Sequence, residues 1–293
     1  MTSSWRVTGG SISLRRPLLM GVVNVTPDSF SDGGELPTIE AAVARGRRLA
    51  VDGADIVDVG GESTRPGAEP VGTAQELDRV LPVVRTLVDD GLLVSIDTTK
   101  AEVAEAAVAA GAAIINDIGG MGDAGMRAVA SASEAGVVVM HMLGTPRTMQ
   151  DDPRYDDVVD DISRFLTARC EALLAEGVDS ARLVIDPGIG FGKTVEHNLE
   201  ILDRLADFAT LGYPVLVGAS RKRFLGTITG RERPADRDGA SAAAAACAVM
   251  RGAMAVRTHD VSRTLEAVQV AWAIVRGEGA PWAPVVAEGA TPG

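Results

Sequence analysis

The chain has 293 residues, of which 46% are hydrophobic and 23% are charged, so it can bury a large core and is not a disordered protein. Its net charge of −12 argues against nucleic acid or an anionic membrane surface as its main partner. No apolar run reaches the roughly 18 residues of a membrane-spanning helix, and residues 1–7 lack the pattern of a secretory signal. We therefore expect a cytoplasmic protein, in which Cys170 and Cys247 have neither disulfide nor metal-ligand spacing.

Short β-branched segments alternate with Ala-rich amphipathic segments along almost the whole chain. The β-branched segments are near-continuously apolar, as expected of parallel strands that are covered on both faces; they lie at 18–24, 55–60, 92–97, 113–118, 137–142, 182–186, 214–219 and 253–257. The amphipathic segments predict helices over 38–52, 73–90, 99–110, 124–135, 156–177, 195–210, 236–251 and 261–276. Thr73 with Glu76 predicts a capping box, and glycines such as Gly111 and Gly136 predict helix ends.

The repeat predicts the fold. Each strand–helix unit takes about 33 residues, the size of a βα unit, and an open doubly wound sheet could also be built from such units. A count of eight favours a closed barrel, and so do the polar or small residues at the strand ends, because all those ends ring one mouth in a barrel. We predict an α/β fold: a (β/α)8 TIM barrel with a short N-terminal hairpin. It would form one domain over residues 1–276, followed by a flexible tail at 277–293.

Two long loops follow the first two predicted strands. Loop one, residues 24–34, is too long for a simple turn, which favours a functional role; its oxygen-bearing and aromatic side chains are Asn24, Asp28, Asp32 and Phe30. Loop two, residues 58–67, has adjacent glycines that let the backbone approach a ligand, and donors suited to phosphate at Ser63, Thr64 and Arg65. Asp58 and Glu62 either orient these donors, support the ligands of a metal ion, or brace the loop.

Three further strand ends carry an amide or a carboxylate directly after apolar residues, at Asp97, Asn116 and Asp186. A buried charge is costly unless it is paired or hydrogen-bonded. Pairing with a basic residue at the barrel mouth is one explanation. The alternative is that the three groups converge on a planar heterocycle rich in N–H donors, since a carboxylate binds two adjacent donors strongly.

The segment from Asp186 to Thr194 ends like a phosphate-binding loop, but Pro187 stands where that motif requires its first glycine. We therefore interpret it as a glycine-rich loop that brings Phe191 to the mouth. After strand seven, Ser220 is followed by three cations, which indicates an anionic ligand. Arg257 and His259 project the same way from strand eight and suit a diphosphate, whereas His141 lies in an apolar run and is interpreted as structural.

These segments together resemble the dihydropteroate synthases, the sulfonamide targets of folate synthesis, over residues 5–276. The motifs that carry the resemblance are NVTPDSFSDGG from Asn24, DVGGESTRPG from Asp58, SIDT from Ser95, INDI from Ile115, DPGIGFGK from Asp186, SRK from Ser220 and RTHDV from Arg257. The resemblance implies a transferase that condenses 6-hydroxymethyl-7,8-dihydropterin diphosphate with 4-aminobenzoate, giving 7,8-dihydropteroate and pyrophosphate. It also implies small-molecule partners only, and a homodimer formed through the later helices.

The resemblance also assigns roles to single residues. The pterin would be bound by Asp97, Asn116, Asp186, Lys222 and Arg257. The diphosphate would be bound by Asn24, Thr64, Arg257 and His259, with Asn24 also a ligand of Mg²⁺. The aminobenzoate would lie near Phe30, Thr64, Pro66, Phe191, Ser220 and Arg223. Asp32 would stabilise the pterin-methyl cation left when diphosphate departs, so that the catalytic set is Asn24, Asp32, Lys222, Arg257 and His259.

Two positions depart from the family pattern. Leu143 stands where the family often has a polar residue, and Arg223 stands where many members have Ser. Arg223 is consequently a candidate for holding the aminobenzoate carboxylate. Two other functions remain open: a non-catalytic pterin-binding paralogue, and a pterin-binding methyltransferase domain of the folate–corrinoid type. The methyltransferase would not need the cations after strand seven or the diphosphate contacts of Arg257 and His259.

Overall fold

A computed structural model of the chain describes residues 3–26, 38–63, 68–277 and Trp282. Its strands are, in chain order, β1 (Ser4–Val7), β2 (Gly10–Ser13), β3 (Leu18–Asn24), β4 (Ile56–Gly60), β5 (Val94–Asp97), β6 (Ile114–Asp117), β7 (Gly136–Met140), β8 (Leu183–Asp186), β9 (Val215–Val217) and β10 (Ala253–Thr258). Strands β3 to β10 are parallel and close into a barrel, with β10 paired to both β9 and β3. The predicted TIM barrel is confirmed and the open sheet is excluded.

Helices cover the outside of the barrel, and each predicted helix is present with ends within about two or three residues of the prediction. They are α1 (Ile39–Val51), α2 (Thr73–Asp89), α3 (Ala101–Ala109), α4 (Ala124–Ala132), α5 (Val158–Ala175), α6 (Val195–Asp203), α7 (Leu205–Ala209), α8 (Arg223–Thr229), α9 (Asp238–Met250) and α10 (Val261–Arg276). The segment expected as one helix over 195–210 is divided at Arg204, and the short helix α8 was not predicted.

Two local predictions were wrong. Helix α2 is capped by the backbone of Gly72 and no side chain caps it, so Thr73 and Glu76 form no capping box; Glu76 is buried and pairs with Lys100 instead. Gly136 does not end helix α4, which stops at Ala132; it begins strand β7. Both predictions used the spacing of neighbouring residues, which does not show that Glu76 is needed for an ion pair and Gly136 for a strand.

The strand register places several polar residues at one level of the rim. Asn24 is the partner of Gly60, Gly60 of Asp97, and Asp97 of Asn116 across β3 to β6. Because carboxyl ends of all strands meet at the same end of a barrel, residues from distant parts of the chain share one mouth.

The N-terminal hairpin closes the opposite end of the barrel. Strands β1 and β2 are antiparallel, and their apolar side chains join the inward-facing residues of the barrel strands in one cluster, in which Trp5 is fully buried. Gly136 has no side chain because a Cβ there would lie 2.8 Å from Val7 Cγ1. The predicted hairpin is confirmed.

We expect Trp5→Phe to lower the free energy of unfolding by about 1–3 kcal/mol. The indole Nε1 donates to the carbonyl oxygen of Arg182 at 2.8 Å in the buried floor, so the variant leaves that carbonyl unpaired beside a void. Urea denaturation measures the change. Trp272→Phe, on a half-buried ring of α10, is the control and should cost less; equal losses would contradict the importance of the floor hydrogen bond.

The predicted domain boundary remains a prediction. Residues 278–281 and 283–293 of the expected tail lie outside the described residues. The ring of Trp282 lies beside Arg16, with the guanidinium carbon 4.4 Å from the centre of the ring. Among the residues that the structure describes, no helix has the length and apolar character to span a membrane.

Candidate active site

A cavity of about 310 Å³ opens at the barrel mouth. Its walls come from loop two, from the turn after β5, from the end of β6 and from the segment after β7; the lining residues are Glu62, Ser63, Ala68, Pro70, Asp97, Thr98, Thr99, Ile118, Thr145, Pro146 and Arg147. Asp97 is the predicted pterin ligand among them, so the cavity adjoins the expected site.

Arg257 connects the polar groups of this mouth. Its Nε donates to Asp58 Oδ2 and its Nη2 donates to Asp97 Oδ2, both at 2.6 Å. Asn116 Nδ2 donates to the same oxygen of Asp58 at 3.2 Å. Asp58 is fully buried, so the guanidinium is held by a carboxylate that water does not reach.

These contacts and burial shift the titration of the pair. Burial raises the pKa of Asp97 to about 7, although Arg257 opposes the shift. Burial alone would lower the pKa of Arg257, but the charges of Asp58 and Asp97 outweigh it and raise the pKa above its usual value. Arg257 is therefore charged at all working pH values, while Asp97 changes its charge near neutrality.

Asp186 lies on the same side of the mouth, at the end of β8. Its Oδ1 accepts the Gly188 N–H at 2.7 Å, and burial raises its pKa to about 6 against the opposing effects of that hydrogen bond and of Lys222. The structure thus brings Asp97, Asn116, Asp186 and Arg257 together. It combines two carboxylates that titrate near neutral pH with an amide and a permanent cation.

Lys222 and Phe191 meet across the mouth from β9 and the loop after β8. The ammonium lies 3.7 Å from the centre of the Phe191 ring, and burial together with Arg257 lowers the pKa of Lys222 to about 7. Gly190 has a positive φ of 82°, and a Cβ there would lie 3.0 Å from Lys222 Cδ. The glycine-rich loop therefore packs directly against this lysine.

Ser220 and His259 form a second polar pair. The Ser220 hydroxyl accepts the His259 N–H at 3.1 Å and lies 3.0 Å from His259 Nδ1. Arg45 of α1 donates to the His259 carbonyl oxygen at 2.5 Å. The end of β10 is thus fixed on both sides, which sets the direction of the imidazole.

The three cations after Ser220 do not act as one anion-binding group. Arg221 forms a two-point ion pair with Asp238, with Nε–Oδ1 at 2.7 Å, and Lys222 faces Phe191. Arg223 begins α8 and is exposed, and its guanidinium makes no hydrogen bond or ion pair with the described residues. The structure therefore does not bring Arg223 into the cluster.

Asn24 ends β3 at the rim and is half-buried, and its side chain makes no hydrogen bond to any residue that the structure describes. No group of three or more His, Cys, Asp or Glu side chains within the described ranges could hold a metal ion. This donor set does not suit a metal held by protein alone. Mg²⁺ keeps several waters and is usually bound by one or two protein carboxylates together with substrate phosphates. The amide oxygen of Asn24 would be a neutral oxygen ligand in place of a carboxylate, with the phosphates supplying the negative charge.

Four predicted site residues, Phe30, Asp32, Thr64 and Pro66, lie outside the described residues, as do Asp28 and Arg65. Their predicted roles remain predictions.

Two buried residues matter more than the sequence indicated. Asp58 bridges Arg257 and Asn116, although it appeared equally suited to bracing loop two. Lys193, 3% exposed, lies 2.9 Å from both His141 Nδ1 and the Phe191 carbonyl oxygen. Burial lowers the pKa of Lys193 to about 7 and that of His141 to about 3, so His141 is neutral and structural, as predicted. The sequence signal that could have identified Asp58 and Lys193 is a charged residue within an apolar strand or a glycine-rich loop.

Comparison with known proteins agrees with this geometry. A family model described as "pterin binding enzyme" matches residues 20–259. The dihydropteroate synthase of Neisseria meningitidis serogroup C is 43% identical over 272 residues, which is 92% of this chain and 96% of that protein. The Xanthomonas albilineans dihydropteroate synthase solved with 4-aminobenzoic acid superposes with a TM-score of 0.88 at 48% identity, covering 94% of this chain and 99% of that one.

A second structure of the Xanthomonas albilineans enzyme, in complex with 7,8-dihydropteroate, has a TM-score of 0.82 at 42% identity and covers 94% of this chain and 99% of that one. Identity above 40% over nearly the full length of both proteins is more than a shared barrel, a fold that serves many unrelated functions. The pterin-binding model also spans seven of the eight barrel strands completely and β3 from Met20 to its end, and thus every described residue of the polar mouth. The chain therefore belongs to the pterin binding enzymes, and within them to the dihydropteroate synthase family.

Proposed function

We propose that this protein condenses 6-hydroxymethyl-7,8-dihydropterin diphosphate with 4-aminobenzoate to give 7,8-dihydropteroate and pyrophosphate. It is a transferase that moves a pterin-methyl group from diphosphate to an amine. The observation that carries the proposal is the polar cluster around Arg257, because it combines acceptors for a pterin ring with a cation at the same mouth.

The pterin ring presents adjacent N–H donors at its edge. Asp97, Asn116 and Asp186 supply acceptors at three strand ends, and a carboxylate that faces two N–H donors is a strong, directional contact. Lys222 adds a donor on the Phe191 side. Arg257, fixed by Asp58, has a planar guanidinium that suits stacking on the ring.

The reaction breaks the bond between the pterin methylene carbon and the diphosphate oxygen and forms a bond from that carbon to the aminobenzoate nitrogen. The bonding electrons leave with the diphosphate, so groups that stabilise its negative charge accelerate the step. We assign this role to Arg257 and His259, with Thr64 as a further donor. The amine loses a proton after attack, which restores a neutral product nitrogen.

Mg²⁺, when bound, would supply further positive charge to the departing diphosphate. The carbonyl oxygen of the Asn24 side chain is the protein group that fits it, because it is an oxygen ligand at the rim of the barrel and makes no hydrogen bond to the described residues. This proposal predicts that release of pyrophosphate depends on Mg²⁺.

The aminobenzoate is assigned to the side of the mouth that carries Phe191 and Ser220. Phe191 offers a ring face, and Ser220 offers a hydroxyl already oriented by His259. Phe30, Thr64 and Pro66 would complete this pocket from the two loops. Arg223 stays a candidate partner for the carboxylate, although it is exposed in the free protein.

Pyrophosphate release, measured with and without 4-aminobenzoate and with and without Mg²⁺, tests the function. We expect release only when both are present, together with a dihydropteroate product. Binding of pterin without any release would favour the non-catalytic paralogue. Transfer of a methyl group from a methylated pterin would favour the methyltransferase.

We expect Asp32→Ala to slow turnover by about a hundredfold while changing pterin affinity little. The reason is that Asp32 is proposed to stabilise charge that develops only when diphosphate leaves, and a group acting in the transition state affects kcat more than binding. Single-turnover kinetics and pterin titration measure the two quantities. Equal losses in rate and in affinity would contradict this role.

The homodimer and the location are also part of the proposal. Val270 and Ile274, one turn apart on α10, are 63% and 62% exposed, and such adjacent exposed apolar side chains suit a subunit contact through the later helices. Sedimentation measures the oligomeric state.

The proposed location is the cytoplasm. Cys170 and Cys247 are both free thiols, which suits the reducing cytoplasm.

A further inference from the structure

Lysine is rare in this chain: three of the 28 basic residues are lysines, and the rest are arginines. All three lie in segments that follow barrel strands at the mouth: Lys100 after β5, Lys193 after β8 and Lys222 after β9. Lys222 belongs to the proposed pterin site, and Lys193 holds the glycine-rich loop. The proposed function assigns nothing to Lys100.

Lys100 lies between two carboxylates of different elements. Its Nζ is 2.5 Å from Glu62 Oε2 in loop two and 2.5 Å from Glu76 Oε2 in α2. The Glu76 side chain is fully buried, and Lys100 is the described cation that compensates its charge. Loss of the ammonium would leave this carboxylate buried without a counter-ion, which is strongly unfavourable.

Glu62, held by Lys100, in turn holds the base of loop two. Its other carboxylate oxygen, Oε1, accepts the Val71 N–H at 3.1 Å, so the side chain joins the two ends of segment 63–70. The preceding residue is fixed as well: Arg79 donates to the Gly61 carbonyl at 2.8 Å, and a Cβ at Gly61 would lie 2.7 Å from Val80 Cγ1. The base of the loop is thus packed on α2.

The same residues form one wall of the cavity. Glu62 and Ser63 line it from loop two, and Ala68 and Pro70 line it from the residues that follow the loop. Thr98 and Thr99, which directly precede Lys100, line the same cavity. Lys100 is therefore the link that sets the distance between the loop-two wall and the strand end that carries Asp97.

We propose that Lys100 is a positioning residue that holds the base of loop two against α2 and the end of β5, and so fixes the loop-two wall for 4-aminobenzoate. The inference rests on the proposed function. Loop two carries Thr64 and Pro66, two of the proposed aminobenzoate contacts, whereas Asp97, Asn116 and Asp186 are held by other bonds. The aminobenzoate step should consequently depend on Lys100 more than pterin binding does.

A compact ammonium suits this position better than a guanidinium. The two carboxylate oxygens both lie 2.5 Å from the single Nζ of Lys100, so they converge on one point. An arginine that contacts two carboxylates does so through separate nitrogens of its planar group, as Arg257 does, and therefore needs them further apart. Lys100→Arg should therefore restore only part of the function that Lys100→Met loses.

The experiment compares Lys100→Met, Lys100→Arg, Glu62→Gln and the double variant of Lys100→Met with Glu62→Gln. In Lys100→Met we expect KM for 4-aminobenzoate to rise about tenfold and kcat to fall, with the pterin dissociation constant within about twofold, because small misplacements of substrate-positioning groups are costly. The Glu62→Gln variant should show the same pattern more weakly. The double variant should be no worse than Lys100→Met, since both changes release one contact.

Arg47→Met is the matched control. It removes the ion pair of Arg47 with Asp90, the residue that caps the other end of α2, and it should leave KM for aminobenzoate unchanged. Hydrogen exchange supplies a readout independent of activity: the Val71 amide should exchange faster in Lys100→Met and remain as in wild type in Arg47→Met.

Three results would overturn the proposal: an unchanged KM for aminobenzoate in Lys100→Met, equal losses of pterin and aminobenzoate binding, or the same effect in Arg47→Met. If the wild-type protein released no pyrophosphate, the proposed function would fail. The exchange of the Val71 amide would then still decide whether Lys100 anchors the loop.

Discussion

Arg257→Met is expected to lower kcat/KM by about a thousandfold, because the variant removes both the cation that we propose stabilises the departing diphosphate and the group that orients Asp97. Among the residues that the structure describes, Lys222 faces Phe191 and Arg221 is paired with Asp238, so neither takes the place of Arg257. Steady-state pyrophosphate release under Mg²⁺ measures the loss.

The same variant should unfold more easily, and the loss should depend on pH. Breaking a buried ion pair by removing one partner costs about 3–5 kcal/mol, and here Asp58 and Asp97 both lose their counter-ion. The pKa of Asp97, about 7 in the wild type, would rise further without Arg257. A group with a raised pKa in the folded state favours folding below its unfolded pKa, and that contribution is lost as the pH rises through the folded pKa.

We therefore expect the difference in unfolding free energy between wild type and Arg257→Met to be smallest near pH 5 and largest near pH 8. Urea denaturation at the two pH values measures it. Arg257→Lys is the matched control: it restores one positive charge and most of the stability at pH 8, but its ammonium cannot contact both carboxylates as a fork does, so little activity returns. A difference in stability that is independent of pH would contradict the role assigned to the ion pairs.

Much of the fold could be predicted because it repeats. Strand ends such as Asp97, Asn116 and Asp186 follow apolar segments of uniform length, and a barrel brings all such ends to one mouth. The prediction therefore needed only the periodicity and the count of the repeats, without knowledge of any single contact.

The contacts within the mouth could not be predicted in the same way. Asp58 and Arg257 are 199 residues apart, and they meet because β10 closes the barrel beside β3, next to β4. Glu76 matched a capping pattern, yet the fold buries it against Lys100. In both cases the partner depends on how elements pack, which local spacing does not determine.

Lowering the pH from 8 to 5 is expected to weaken pterin binding by roughly a thousandfold. Asp97 and Asp186 are proposed to accept N–H donors of the pterin as carboxylates, and their pKa values in the free protein are about 7 and about 6. At pH 5 about one molecule in a hundred has Asp97 ionised and about one in ten has Asp186 ionised, and these two factors multiply when both charges are needed.

The measurement is a titration with a dihydropterin that lacks the diphosphate, since a diphosphate would itself titrate in this range. Lys222 and Arg257 do not produce the acid-side loss: Arg257 stays charged, and Lys222, with a pKa of about 7, gains charge as the pH falls. In Asp97→Asn the decline attributed to Asp97 should vanish, so affinity at pH 8 is lower but stays nearly constant down to about pH 7 and then falls about tenfold by pH 5, as Asp186 is protonated. If that variant kept the full wild-type pH dependence, the carboxylate of Asp97 would not be the acceptor of the pterin N–H donors.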